Sequence, residues 1–225
     1  LVEDILTNGV KKSDRTGTGT LSVFGRQFRH KVSEDAFPIL TTKKMAWKQI
    51  VTELLWMLCG DTNIKWLVDN NCNIWNGDAW KKYQKIDWFE YRTKKWKVDS
   101  IEEFNSRLKN DIGFSYQYGD LGRIYGAQWR NWYCGQDHDD LPIMIDQIQN
   151  MINLLRTDPD SRRMLVSAWN VGELDDMVLP PCHYAFQLYT REIGGGRSEL
   201  DLMYSCRSQD IGLGASWNNV FYSLL

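Results

Sequence analysis

Three consecutive glycines, Gly194-Gly195-Gly196, stand between two strand-like runs, Tyr184 to Thr190 and Leu200 to Ser205. Glycine takes the backbone angles of a tight reversal without steric cost, so the segment reads as a β-hairpin. Another strand-like run, Met164 to Trp169, precedes it. Elsewhere the period changes. Trp47, Ile50, Val51, Leu54, Leu55 and Leu58 recur at helical spacing and predict a buried helix from about Lys44 to Cys59, ending at Gly60. Glu53 falls inside that apolar stretch, as either a helix-surface group or a buried, functional acid. Asp61-Thr62-Asn63 can cap a short helix through Asn70. Asp140 to Thr157 reads as a second amphipathic helix with Ile145, Ile148, Ile152 and Leu155 on one face. Leu1 to Leu6 reads as the tail of a helix closed by Asn8-Gly9, and Leu21 to Val32 alternates as strands with Val23, Phe24 and Phe28 as apolar members. Long helices together with paired strands predict an α/β or α+β domain.

Composition narrows the function. At 225 residues the chain is one large domain or two small ones, long enough to bury a substantial core. A net charge of −2 with no run of like charges disfavours a nucleic-acid scaffold. Residues 81–120 are rich in lysine and aromatics, but the interleaved acids favour an inserted, solvated small subdomain over a nucleic-acid surface. Five cysteines without a CxxC pair resemble neither a disulfide framework nor a zinc site, and an odd count fits a reducing compartment. Three scattered histidines suggest no metal cluster. With no signal peptide and no apolar run long enough to span a bilayer, the cytoplasm is the expected location and no membrane partner is expected. The chain starts at Leu1 in a helical pattern and stops in the apolar run Val220 to Leu225, so it is expected to be part of a longer protein, incomplete at its C-terminal side.

The residues that carry chemistry concentrate in about fifty positions. Pro180-Pro181-Cys182-His183-Tyr184 lies between Asp158-Pro159-Asp160-Ser161-Arg162-Arg163 and Arg207-Ser208-Gln209-Asp210. Each part alone has a plainer reading: a free cysteine is most often a small core residue, an arginine pair a solvated surface, a single histidine a structural group. Together they suit covalent attack by a thiolate on a substrate held by a dianionic phosphate, because cations activate a thiolate and arginines grip phosphate with planar, multi-donor geometry. The polar loop Asp14 to Thr20 is either a solvated connection or a phosphate loop with Arg15 as donor.

Several motifs recur in one order across nearly the whole chain: Arg15-Thr16-Gly17-Thr18-Gly19-Thr20, Glu53-Leu54-Leu55-Trp56, Gly60-Asp61-Thr62-Asn63, Tyr125-Gly126-Ala127-Gln128-Trp129-Arg130, Asp158 to Arg163, Ser167-Ala168-Trp169-Asn170 and Pro181-Cys182-His183. In them the chain resembles the thymidylate synthase family. The resemblance implies a single catalytic domain over residues 1–225 with a large mixed sheet packed on long helices, working as a homodimer with shared active sites. It implies dUMP as substrate, methylene-tetrahydrofolate as cosubstrate and no metal. Cys182 would attack carbon-6 of the uracil ring, so that carbon-5 captures the methylene group. Loss of the carbon-5 proton and of the folate leaves an exocyclic methylene, which hydride from tetrahydrofolate reduces to methyl, giving dTMP and dihydrofolate.

By the same resemblance, Arg15, Arg207 and Ser208 would bind phosphate in one subunit, while Arg162 and Arg163 would reach the phosphate held by the partner subunit. Glu53 would move protons through ordered water, supported by His183 and Tyr125. Asn218 would read the uracil edge with one donor and one acceptor. Trp75, Trp80, Asp210, Leu213, Gly214 and Trp217 would line the folate pocket. The chain departs from the family pattern at Cys206, where glutamine is common, at Gly212 in place of a bulky residue, and at Ser216-Trp217 in place of Pro-Phe. These are either compensated packing changes, with Trp217 filling the volume that Gly212 vacates, or a reshaped pocket that admits water. The second case gives an alternative, a dUMP hydroxymethylase of the phage type acting in a host cytoplasm, since Asn218 argues against cytosine. A non-catalytic nucleotide-binding remnant is the alternative of another class.

Overall fold

The computed structural model describes residues 1–14, 17–33, 35–86 and 97–225. Arg15, Trp88, Tyr91, Lys94, Lys95 and Trp96 lie outside the described residues. The chain forms two compact units, one of residues 1–45 with 210–223 and one of residues 46–209 with 224–225.

The first unit opens with helix α1 (Val2–Asn8), strand β1 (Val10–Lys12) and strand β2 (Thr20–Ser22), the two strands pairing antiparallel with Val10 opposite Ser22. The alternation over Leu21 to Val32 does not extend the strand beyond Ser22. Gly25 turns the backbone at φ +69°, Arg26 is drawn aside to Asp4 at 2.6 Å, and Phe24 is 95% exposed instead of packing. Helix α9 (Gly214–Leu224) closes this unit. Its start is set by Asp210, whose carboxylate accepts the Leu213 N–H at 2.6 Å and whose carbonyl accepts the Ala215 N–H at 2.8 Å. Trp217 does not fill the space of a missing Gly212 side chain. A Cβ there would meet only the Asp210 carboxylate, at 3.5 Å, because Gly212 sits in the exposed turn ahead of the helix while Trp217 is already within it.

The second unit is built on helix α2 (Trp47–Leu58), which buries Ile50, Glu53, Leu54, Trp56 and Met57 and ends before Gly60 at φ +73°. Short helix α3 (Lys65–Asp69) follows the expected cap: Asn63 Oδ1 accepts the Lys65 N–H at 2.9 Å. Helices α4 (Asn76–Gln84), α5 (Ile101–Asn110) and α6 (Ile112–Tyr118) pack an aromatic cluster of Tyr83, Phe104 and Phe114, the last two fully buried. Helix α7 (Tyr125–Arg130) lies against α2 so closely that a Cβ on Gly126 would fall 2.3 Å from the Met57 carbonyl oxygen.

Strands β3 (Trp132–Gln136) and β4 (Pro142–Ile145) then pair antiparallel. The helix expected from Asp140 therefore starts later, as α8 (Gln147–Thr157). Asp146 is its cap, accepting the Gln149 N–H at 2.9 Å, and the continuous apolar run before it is consumed by β4. Strands β5 (Leu165–Ser167), β6 (His183–Gly194) and β7 (Arg197–Cys206) form the largest sheet, with Gly195 and Gly196 at φ +65° and +68° in the predicted hairpin turn. One face buries Val166, Phe186 and Leu188, while Leu165, Tyr189 and Met203 on the other are exposed. The fold is α+β. Among the described residues its sheets are antiparallel and have two, two and three strands, rather than forming one large mixed sheet, because each pairing joins strands that follow one another in the chain. No described helix is long and apolar enough to cross a membrane.

Candidate active site

Cys182 lies immediately before β6, half-buried, and is held on one side by the hairpin and on the other by α7. Its carbonyl accepts the Arg207 N–H at 2.9 Å, and its own N–H donates to the Tyr125 hydroxyl at 2.9 Å. Arg207 is fixed by its end of the hairpin and by two carbonyls. Its Nε donates to Pro181 O and its Nη2 to Pro180 O, both at 2.8 Å. This leaves Nη2 3.9 Å from the Cys182 Sγ. The guanidinium also stands 5.7 Å from the centre of the Trp169 ring. A cation is thus anchored beside the Cys182 sulfur.

A row of buried groups adjoins the thiol. Glu53 on α2 is 5% exposed and accepts the Trp75 indole N–H at 2.8 Å. The Trp75 ring tilts against Tyr125, with centroids 6.0 Å apart, and Tyr125 stacks on His183 at 4.3 Å and 22°. Glu53 is therefore the buried acid of its two sequence readings. Tyr125 begins α7 at φ +23°, a left-handed value that a bulky residue rarely takes, so the surrounding packing enforces its position. Gly126 allows that packing by letting α7 close onto α2. Burial, followed by the charge of Cys182, pushes the Tyr125 phenol well above the ordinary range, so it stays protonated. Burial pulls the His183 imidazole from 6.5 down to about 3, so the ring is neutral near pH 7.

The remaining sequence-predicted residues are placed as follows. Arg162 and Arg163, ahead of β5, are exposed, with no side-chain hydrogen bond or ion pair among the described residues. Ser208 is exposed beside Arg207. Trp80 stacks on Tyr83 at 5.4 Å and packs on Phe104 at 5.4 Å. Asp210, Leu213, Gly214, Trp217 and Asn218 belong to the first unit, Asn218 being half-buried on α9. Arg15 is outside the described residues. Sequence reasoning missed the role of Trp169 beneath Arg207 and the indole of Trp75 as the partner of Glu53. Both are tertiary contacts between residues more than twenty positions apart, and no local pattern encodes them. It also missed a buried amide network behind α7. Gln128 donates to Glu173 at 2.6 Å and to the Arg123 carbonyl at 2.7 Å, and Gln147 donates to the carbonyls of Gln128 and Ser167 at 2.8 Å.

A thiol with a guanidinium at its sulfur, bordered by a buried carboxylate and a neutral imidazole, is the equipment of a covalent, thiol-nucleophile enzyme. Comparison with known proteins narrows the class. The family model described as thymidylate synthase matches residues 1–225. Among curated relatives, the thymidylate synthase of Mesoplasma florum is 45% identical over 100% of this chain and 70% of its own length. That of Mycoplasma genitalium is 43% identical over the same shares. That of Listeria monocytogenes serotype 4a is 41% identical over 98% of this chain and 71% of its own length. The chain belongs to the thymidylate synthase family.

Proposed function

We propose that this chain catalyses reductive methylation of dUMP to dTMP, with methylene-tetrahydrofolate supplying both the carbon and the hydride. The observation that carries this reading is the Arg207 clamp, which puts Nη2 3.9 Å from the Cys182 sulfur while both neighbouring prolyl carbonyls hold the guanidinium in place. Cys182 is the nucleophile: its sulfur bonds to carbon-6 of the uracil ring, and the electron pair of the ring double bond moves to make carbon-5 nucleophilic. A phosphate on the nucleotide shares the positive charge of Arg207, which is why the thiol and the phosphate site belong together. Ser208, Arg15, and Arg162 with Arg163 from the partner subunit complete the phosphate grip. The open state of Arg162 and Arg163, unpaired among the described residues, supports that role, because a guanidinium already neutralised by a carboxylate would offer a dianion little.

Glu53, Tyr125 and His183 handle protons at the ring. Glu53 is desolvated and oriented by Trp75, Tyr125 keeps a hydroxyl proton to donate, and His183 stays neutral. Asn218 reads the uracil edge, and Trp80, Asp210, Leu213, Gly214 and Trp217 contribute to folate binding together with Trp75. We read residues 1–225 as belonging to one catalytic domain that acts in the cytoplasm as a homodimer. The exposed sheet face with Leu165, Tyr189 and Met203 supports the dimer, since it presents apolar side chains on otherwise regular strands. The test is product identity. Incubation with dUMP and methylene-tetrahydrofolate should give the methyl nucleotide and dihydrofolate by mass. A hydroxymethyl nucleotide with tetrahydrofolate would overturn the hydride step.

A further inference from the structure

Two stretches of chain run side by side behind the thiol. The first, Leu121 to Tyr125, leads into α7. The second, Asn170 to Pro181, contains a short 3-10 helix (Val171–Asp176) and leads to Cys182. The Val178 N–H donates to the Leu121 carbonyl at 2.9 Å. Gly122 turns at φ +81° and leaves no room for a Cβ against the Asp176 carbonyl. The bond from the Cys182 N–H to the Tyr125 hydroxyl completes the pairing at the site itself.

Glu173 joins the two stretches through its side chain, which is 17% exposed. One carboxylate oxygen accepts Arg123 Nε at 2.8 Å, and the other accepts Gln128 Nε2 at 2.6 Å and Asn170 Nδ2 at 3.1 Å. Arg123 and Gln128 in turn constrain the backbone around Tyr125. Gln128 Nε2 also donates to the Arg123 carbonyl at 2.7 Å, and Arg123 Nη2 donates to the Asn131 carbonyl beyond the far end of α7. Tyr125 lies between them at φ +23°. A bulky residue keeps such a backbone only where its surroundings over-determine it, and these bonds converge on Glu173.

We propose that Glu173 is a positioning residue, acting through Arg123 and Gln128 to hold the strained Tyr125 with its hydroxyl against the Cys182 N–H. The effect on turnover rests on the proposed reaction, whereas the clamp itself is a property of the folded chain. Glu173→Gln keeps the shape of the side chain and removes the clamp. Three donors face the two carboxylate oxygens. An amide has one oxygen and one NH2 group, so the NH2 must face either the Arg123 guanidinium or the Gln128 and Asn170 amides, donor against donor. Neither neighbour can turn its own amide without a loss. Gln128 would give up the Arg123 carbonyl, and Asn170 would give up the Gly172 N–H that it accepts at 3.2 Å.

Amide hydrogen exchange reads the clamp without substrate. In Glu173→Gln the Cys182 amide should exchange at least about 10-fold faster than in the parent, with the β6–β7 ladder unchanged. With dUMP and methylene-tetrahydrofolate, kcat should fall roughly 10- to 100-fold while the KM for dUMP stays within about twofold. In a Tyr125→Phe background, where the acceptor is already gone, Glu173→Gln should lower kcat by less than about twofold further. Arg123→Met, which removes one of the three donors, should show the same pattern at smaller size, and it replaces the first variant should that one fail to fold. Cys182 exchange at the parent rate in a folded variant would overturn the proposal, as would an undiminished loss of kcat in the Tyr125→Phe background. If the parent makes no dTMP, the proposed reaction fails and the exchange rate still decides the clamp.

Discussion

Two parts of the proposed site are built in opposite ways. Glu53, Trp75, Tyr125 and His183 are each no more than 8% exposed and touch one another in sequence, from carboxylate to indole to phenol to imidazole. Arg162 and Arg163 stand exposed, with their guanidinium groups unpaired among the described residues. The contrast follows from what each part must do. Groups that set protonation states gain from a dry, fixed surrounding, where dipoles act strongly and a neutral imidazole stays neutral. Groups that recruit a dianion need their charge uncompensated until the ligand arrives. Arg207 combines the two designs, with a guanidinium held by prolyl carbonyls at its base and directed at the thiol.

The comparison is broken most severely by attacking the packing under the buried row. Gly126→Ala forces a methyl group against the Met57 backbone at 2.3 Å, so α7 must separate from α2 and Tyr125 must move. The expected loss is about 3 kcal/mol of stability by urea or thermal denaturation, with turnover falling further than stability alone explains. A neutral result would show that the α2–α7 contact does not hold the row in place.

A smaller effect sharpens the assignment of His183. Its folded value of about 3 lies below the ordinary 6.5, so between those pH values the unfolded chain binds the proton more readily. The stability this residue contributes is complete above 6.5 and is lost as pH falls toward 3, about 2 kcal/mol of it by pH 5. Denaturation at pH 7 and pH 5 should therefore show a steeper decline in the parent than in His183→Gln. Equal slopes would mean that the ring is not buried neutral.

The exposed pair should give the smallest change in stability. Arg163→Ala should alter it by less than about 0.5 kcal/mol, while weakening dUMP binding. If the pair serves the partner subunit, mixing Arg163→Ala subunits with Cys182→Ala subunits should restore part of the activity that neither variant shows alone. No recovery on mixing, with dimers formed, would assign the pair to its own subunit.

The sequence carried what is local. The glycine turn, the Asn63 bond to the Lys65 N–H and the helix of Trp47 to Leu58 each depend on angles or periods within a few residues, and each is present in the structure, although Trp47 and Leu55, read as part of the buried face of that helix, are exposed. Alternation without a partner misled over Leu21 to Val32, because a strand needs a ladder and β1 supplies only three residues of one. The amphipathic reading of Asp140 to Thr157 ran strand and helix together, since Ile145 fits both periods and only the Asp146 cap separates them. At the site, Cys182, Glu53 and Arg207 were legible as residue types in context. The bond from Trp75 to Glu53 and the ring of Trp169 under Arg207 were not, because they arise only when distant segments meet.

The central claim is that the Cys182 sulfur bonds to carbon-6 of the nucleotide. Mixing the protein with dUMP and methylene-tetrahydrofolate, quenching in acid during turnover and mapping the digested peptides by mass tests it directly. The account predicts nucleotide mass on the peptide that contains Cys182 and on no other, with turnover lost in Cys182→Ala by roughly 10⁴-fold or more while dUMP still binds. Nucleotide attached to a different residue, or substantial turnover by Cys182→Ala, would contradict it.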